Sequence, residues 1–197
     1  ELVDDGVRVV SEATLKSKIQ HLAEVSALES GARQGMARYL TRLAAHALGI
    51  YPASIHELYM ARGRGELPYS FTVPAFNLRT ISYDAARAVY RVANQLDAAA
   101  FIFEIARSEM GYTDQRPAEY VTNMLAAAIA EGYRGPVFIQ GDHFQVSAKR
   151  YGADPETELQ AVRDLIVEAV QAGFYNIDID TSTLVDLSKS TINDNKR

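Results

Sequence analysis

Cysteine is absent from the 197 residues, which excludes a disulfide scaffold, a thiolate nucleophile, a zinc ribbon and an iron–sulfur centre. Any metal must be held by His, Asp or Glu, and there are only four histidines. A positive surplus is missing as well. Lys plus Arg number 20 against 25 Asp plus Glu, a net charge of -5, so the chain lacks the concentrated positive field that nucleic acid or an anionic membrane demands. No run of 18 apolar residues occurs, and the stretch from Glu1 to Ser30 carries acids and bases with no apolar h-region. These absences argue against nucleic-acid and membrane partners and set the expectation of a soluble, cytoplasmic protein. What remains is ordinary globular composition, 48% hydrophobic and 23% charged, enough to bury a core in one or two domains.

The pattern changes near residue 70. Before it, Leu15, Ile19, Leu22, Val25 and Leu28 recur at helical steps behind a cap at Ser11. Met36, Leu40, Leu43, Ala44 and Ala47 share a second helical face that Gly49 stops. A shorter helix is expected from Ser54 to about Arg62. Residues 1–70 thus read as an all-helical N-terminal extension.

From residue 71, short apolar runs alternate with amphipathic helices, the mark of βα units on a parallel sheet. The expected strands are Phe71–Phe76, Ala99–Ile105, Pro136–Gln140 and Tyr175–Asp180. The first crossover helix starts behind Ser82, with Ala85, Val89, Val92 and Leu96 buried. The second opens at Pro117 and closes at Gly132, and the third opens at Asp154-Pro155 and closes at Gly173. Four such units are half of an eight-stranded (β/α)₈ barrel of roughly 250 residues. Residues 71–197 therefore read as the N-terminal half of a TIM barrel, with about four more units expected beyond Arg197 and a polar tail from Ser188.

In α/β folds, ligands bind at the carboxyl ends of the strands. Those ends hold Asn77, Glu104 to Glu109, Gln140-Gly141-Asp142-His143 and Asp178-Ile179-Asp180-Thr181-Ser182. Asp142-His143 is the sharpest element: an imidazole can ligate a divalent metal while the adjacent carboxylate exchanges a proton with substrate. Asp178 and Asp180 alternate with isoleucines and so share one side of their strand. Of the two, Asp180 is the stronger site candidate, since Asp178 lies deeper. Arg107 is an expected ion-pair partner of Glu104. His21, His46 and His56 fall in the helical extension and read as structural, and Gly63-Arg64-Gly65 lacks the strand-to-helix setting of a phosphate loop.

Val73-Pro74-Ala75-Phe76-Asn77, Gly141-Asp142-His143 and Ile179-Asp180-Thr181-Ser182 resemble, in order, the strand ends of the metal-dependent class II ketose-bisphosphate aldolases, which are TIM barrels. The resemblance spans about residues 71–184. It implies that His143 is a zinc ligand, Asp142 the catalytic proton-transfer residue, Asn77 a substrate contact with Ser182 beside it, and Asp180 a group in the metal region. It further implies reversible cleavage of a fructose- or tagatose-type ketose 1,6-bisphosphate, with zinc as cofactor, a phosphorylated sugar as partner and a homo-oligomeric assembly. Two positions depart from the family, which usually has histidine where Gln140 stands and glycine where Phe144 stands. The stretch Glu109-Met110-Gly111-Tyr112-Thr113 also resembles the non-catalytic subunit of tagatose-bisphosphate aldolase, which implies a scaffolding role instead. A magnesium-dependent TIM-barrel lyase or isomerase built on the acid cluster is the third alternative.

Overall fold

The computed structural model describes residues 2–3, 6–98 and 100–195. Ala99, with which the sequence pattern opens its second strand, lies outside the described residues, as do Glu1 and the last two residues of the polar tail. The elements run β1 (Leu2–Val3), β2 (Gly6–Val7), α1 (Glu12–Leu28), α2 (Gly31–Ala47), β3 (Ile50–Ala53), α3 (His56–Gly63), β4 (Ala75–Asn77) and α4 (Ser82–Leu96). They continue with β5 (Ile102–Ala106), α5 (Arg107–Thr113), α6 (Pro117–Glu131), β6 (Gly135–Asp142), α7 (Ala148–Ala153), α8 (Pro155–Ala172) and β7 (Asn176–Ile177). No helix among the described residues is long and apolar enough to cross a membrane.

The protein is α/β, with a five-stranded parallel sheet in which β4, β5, β6 and β7 are neighbours in chain order. Four of the marked caps hold, whereas Ser82 is the first residue of α4 and Ile81, with φ +46, stands before it as the cap. Ser11 accepts from the Thr14 backbone N–H, Asp154 accepts from that of Thr157, and Gly132 and Gly173 end their helices with positive φ. Helix α6 is the centre of the molecule. Eleven of its fifteen residues are buried because α1, α2, α4 and α8 all pack on it, which its run of small alanines permits.

Two readings of the sequence change. The segment before residue 70 is not all helical: Ile50–Ala53 pairs in parallel with residues 135–138 of β6 and belongs to the main sheet. Only four residues long and containing Pro52, it carries too little alternation to stand out. Proline is tolerated there because the strand lies at an edge. The buried face of α4 is also rotated from the expected one. Ser82, Ala86, Tyr90 and Ala93 are inside, whereas Val92 and Leu96 are exposed. The Tyr90 ring decides this by packing against Phe101, Phe103 and Tyr133 at centroid distances of 5.6, 5.1 and 4.9 Å, large apolar contacts that outweigh two aliphatic side chains.

β3 and β7 share one edge of β6, the first along its beginning and the second along its end. Asn176 ties the two together: its Oδ1 accepts from the Ile55 backbone N–H and the Ser54 hydroxyl, both at 3.1 Å. Toward the carboxyl ends, Asn77, Glu104, Gln140 and Asn176 stand in register across four strands. A polar row on an otherwise apolar sheet marks the end where chemistry is possible.

Candidate active site at the carboxyl ends of the strands

The ladder between β6 and β7 is interrupted where the site lies. Gly141 faces Ile177. Further on, the Phe144 N–H donates to the Asp178 carbonyl while the Phe144 carbonyl accepts from the Asp180 N–H, so Phe144 faces Ile179. Three steps along one chain match two along the other. The extra residue is accommodated at Asp142-His143, where His143 takes φ +43, a left-handed backbone uncommon outside glycine. Beyond this bulge Phe144 turns inward and is fully buried, while the His143 side chain is left exposed at 62%.

Three ligand groups converge on the bulge. One atom each of Asp142, His143 and Asp178 lies within 4.8 Å of the others. His143 Nδ1 is 3.1 Å from Asp142 Oδ2, and the His143 backbone N–H donates to Asp178 Oδ2 at 3.3 Å. With Nδ1 engaged by a carboxylate, Nε2 is the nitrogen free to bind a metal. An imidazole and two carboxylates are a donor set suited to zinc or another borderline divalent ion.

The other expected residues have different company. Asp180 is near the cluster but outside it, accepting from Gln145 Nε2 at 2.6 Å and from the Ser182 backbone N–H at 2.8 Å. These bonds, those of Ser182 foremost, hold its carboxyl below the usual range. Ser182 is thereby an exposed residue opening a short 3-10 turn. Asn77 donates to Glu109 Oε2 at 2.8 Å and accepts from Arg79 at 3.2 Å, which fixes its amide at the end of β4. Glu104 accepts from Gln140 at 3.3 Å, and its carboxyl is raised by burial and then by the nearby Asp142 charge. Arg107 does not pair with Glu104. It forms two hydrogen bonds to Glu158, 51 residues away on α8, whose side chain is 1% exposed.

Depth along the strand favours Asp180 over Asp178 in the sequence, whereas the bulge brings Asp178 to Asp142 and His143, and a bulge leaves no local sign. Glu109, which the sequence places at a strand end without a role, is a buried carboxylate holding Asn77, Arg79 and the Ala106 N–H together. A signal for it existed: Glu109 stands three residues after the residue before α5, the position from which a glutamate reaches back to cap a helix. A cleft of about 970 Å³ is lined by His143 with Arg107, Arg150, Ser147 and Gln145 among others, so of the cluster it is the imidazole that faces room for a substrate-sized molecule.

Compared with known proteins, the chain matches no family model, no curated protein and no solved structure at a significant level.

Proposed function

We propose that the protein is a zinc-dependent lyase of the class II aldolase type, cleaving a ketose 1,6-bisphosphate reversibly to dihydroxyacetone phosphate and an aldehyde phosphate. The observation that carries this reading is the convergence of Asp142, His143 and Asp178 at the carboxyl end of a parallel sheet. The sheet, with helices following its strands, is in this reading half of a (β/α)₈ barrel, and the polar row of Asn77, Glu104 and Gln140 lies on the lumen side. His143 and Asp178 would hold zinc, which when bound supplies an electrophile for the substrate carbonyl. Asp142, between His143 and the polar row, accepts the hydroxyl proton as the carbon–carbon bond breaks. Asn77, its amide fixed by Glu109 and Arg79, orients a substrate oxygen, and Ser182 is the further substrate contact. Asp180 positions Gln145 and the turn that carries Ser182, within reach of the metal region. The reading places a homo-oligomer in cytoplasmic carbohydrate metabolism, with glycolysis as the setting for a fructose-type substrate.

One observation favours the non-catalytic subunit as a second reading. A catalytic zinc normally has three protein ligands, and only one imidazole reaches the cluster among the described residues. Release of triose phosphate from fructose 1,6-bisphosphate and tagatose 1,6-bisphosphate by the zinc-loaded protein separates the two. Turnover that a chelator abolishes supports the lyase. Stoichiometric zinc with no turnover on either sugar supports the scaffold.

A further inference from the structure

A pocket of about 420 Å³ lies apart from this site, between α1 and the loop from β4 to α4. Its walls are apolar, with Ala23, Ala27 and Leu28 on α1 and Ile81 in the loop. Its floor is rich in acceptors. Asn123 is 6% exposed; its Nδ2 donates weakly to Gln115 Oε1 at 3.4 Å, and its Oδ1 receives no hydrogen bond from the described residues. Gln115 has no acceptor to spare, since its Oε1 accepts from the Ser82 hydroxyl and from Asn123, while its Nε2 donates one of its two N–H groups to the Arg79 carbonyl at 3.2 Å. Beside Asn123, one turn back along α6, Glu119 is half-buried and its carboxylate has neither a hydrogen bond nor an ion pair among the described residues.

A half-buried carboxylate with no partner is costly. Burial pushes the Glu119 carboxyl up to about 7, with Arg38 pulling down and Asp114 pushing up by smaller amounts. The remaining charges at the pocket are those of Glu24, Asp84 and Arg79. Arg79 adds little positive field, because its guanidinium is held by Glu109 at 3.0 Å and by the Asn77 amide oxygen at 3.2 Å. The charge at the pocket is therefore unfavourable to anions, and the Glu119 carboxylate and Asn123 Oδ1 are acceptors that a cationic hydrogen-bond donor would fill. A metal ion is a poorer match, because the only cluster of metal-type ligands among the described residues is the one at His143.

We infer that this pocket binds a small primary alkylammonium ion, whose N–H donors are taken by the Glu119 carboxylate and Asn123 Oδ1 while its hydrocarbon part lies along Ala23, Ala27 and Leu28. The third N–H points to the open mouth and is hydrated. Acceptor geometry gives the head group its place and the apolar wall gives the chain its place, the usual division of labour in a small-molecule site.

The test is calorimetric titration of the full chain at low ionic strength with n-butylammonium chloride and, as the neutral isostere, n-butanol. Saturable one-to-one binding of butylammonium is expected, with butanol at least tenfold weaker. Glu119→Gln should weaken butylammonium at least tenfold. Ala27→Trp, a change at an exposed wall position that leaves the buried floor intact, should abolish binding by filling the pocket. Chelator treatment should leave the affinity unchanged, which separates this site from the one at His143. Absence of saturable binding, equal affinity for butanol, or unchanged affinity in either variant would overturn the inference.

Discussion

The Asp178 carboxylate accepts the backbone N–H of His143 at 3.3 Å, so the residue that offers the imidazole is held in its left-handed conformation by one of the two carboxylates beside it. The same side chain thus does two things. It pins the bulge that aims His143 outward, and it supplies a ligand atom to the cluster that bulge creates.

Removing both roles at once should be worse than removing one. Asp178→Ala loses the acceptor and the ligand, and zinc affinity should fall 10- to 100-fold, the usual range for a group that orients a metal-binding histidine. Asp178→Asn keeps an acceptor for the His143 N–H and should fall less. Competition titration against a chromophoric chelator measures both; equal affinity in Asp178→Ala and wild type would remove Asp178 from the site.

Gly141 and Phe144 fit together across the bulge. A Cβ at position 141 would lie 2.6 Å from two atoms of the Phe144 ring and 3.1 Å from Ile177 Cδ1, and the ring is fully buried. Gly141→Ala should therefore cost about 1–3 kcal/mol through overpacking. Adding Phe144→Leu should recover part of that loss, because the smaller side chain yields the space. Urea denaturation midpoints for the two singles and the double variant check the coupling; strict additivity would contradict it.

The Arg107–Glu158 pair is buried on the acid's side, with the Glu158 side chain 1% exposed. Arg107→Met would leave that carboxylate with only the Ser147 backbone N–H at 2.8 Å and the Arg150 guanidinium at 3.9 Å, and should cost about 1–3 kcal/mol near neutral pH. The hydrogen bonds from Arg107 chiefly hold the Glu158 carboxyl below its ordinary value. Its contribution is thus present above the unfolded-state pKa and is lost as pH falls through the lower folded-state one. Melting temperatures should show the gap between wild type and Arg107→Met narrowing below about pH 4.5. A gap that widens in acid would contradict the assignment.

Glu119 has the opposite sign. Its folded-state pKa is raised to about 7 by burial, so the folded protein keeps a proton that the unfolded chain releases from about pH 4.5 upward. Its stability contribution is greatest in acid, falls as pH rises toward 7 and then levels. Glu119→Gln should remove that slope and melt higher than wild type at pH 8. An unchanged slope between pH 5 and 8 would mean that the carboxyl is better solvated than its position implies.

Much of the fold is legible in the chain because its signals are local. Ser11, Pro117, Gly132, Asp154-Pro155 and Gly173 each bound a helix for a reason contained within a few residues. β3 is not legible, because four residues with a proline become a strand only when β6 offers an edge. The face of α4 is set by where Phe101, Phe103 and Tyr133 put their rings. At the site, Asp142 and His143 announce themselves as adjacent residues after an apolar strand. The choice of Asp178 over Asp180 as their companion depends on a one-residue slip between β6 and β7, and the Arg107–Glu158 pair bridges α5 and α8. Such pairings exist only after folding and leave no mark in sequence spacing.

The central claim is that His143 ligates a metal while Asp142 carries a proton. The most direct measurement is zinc content by mass spectrometry, after loading and desalting, for wild type, His143→Ala, Asp142→Ala and the control His46→Ala. The account predicts about one zinc per chain in wild type and His46→Ala, little in His143→Ala as expected when an imidazole ligand is lost, and much of the zinc retained in Asp142→Ala. Turnover in Asp142→Ala should nonetheless drop roughly 10²- to 10⁴-fold, the usual contribution of a positioned acid or base. Full zinc content in His143→Ala would contradict the account.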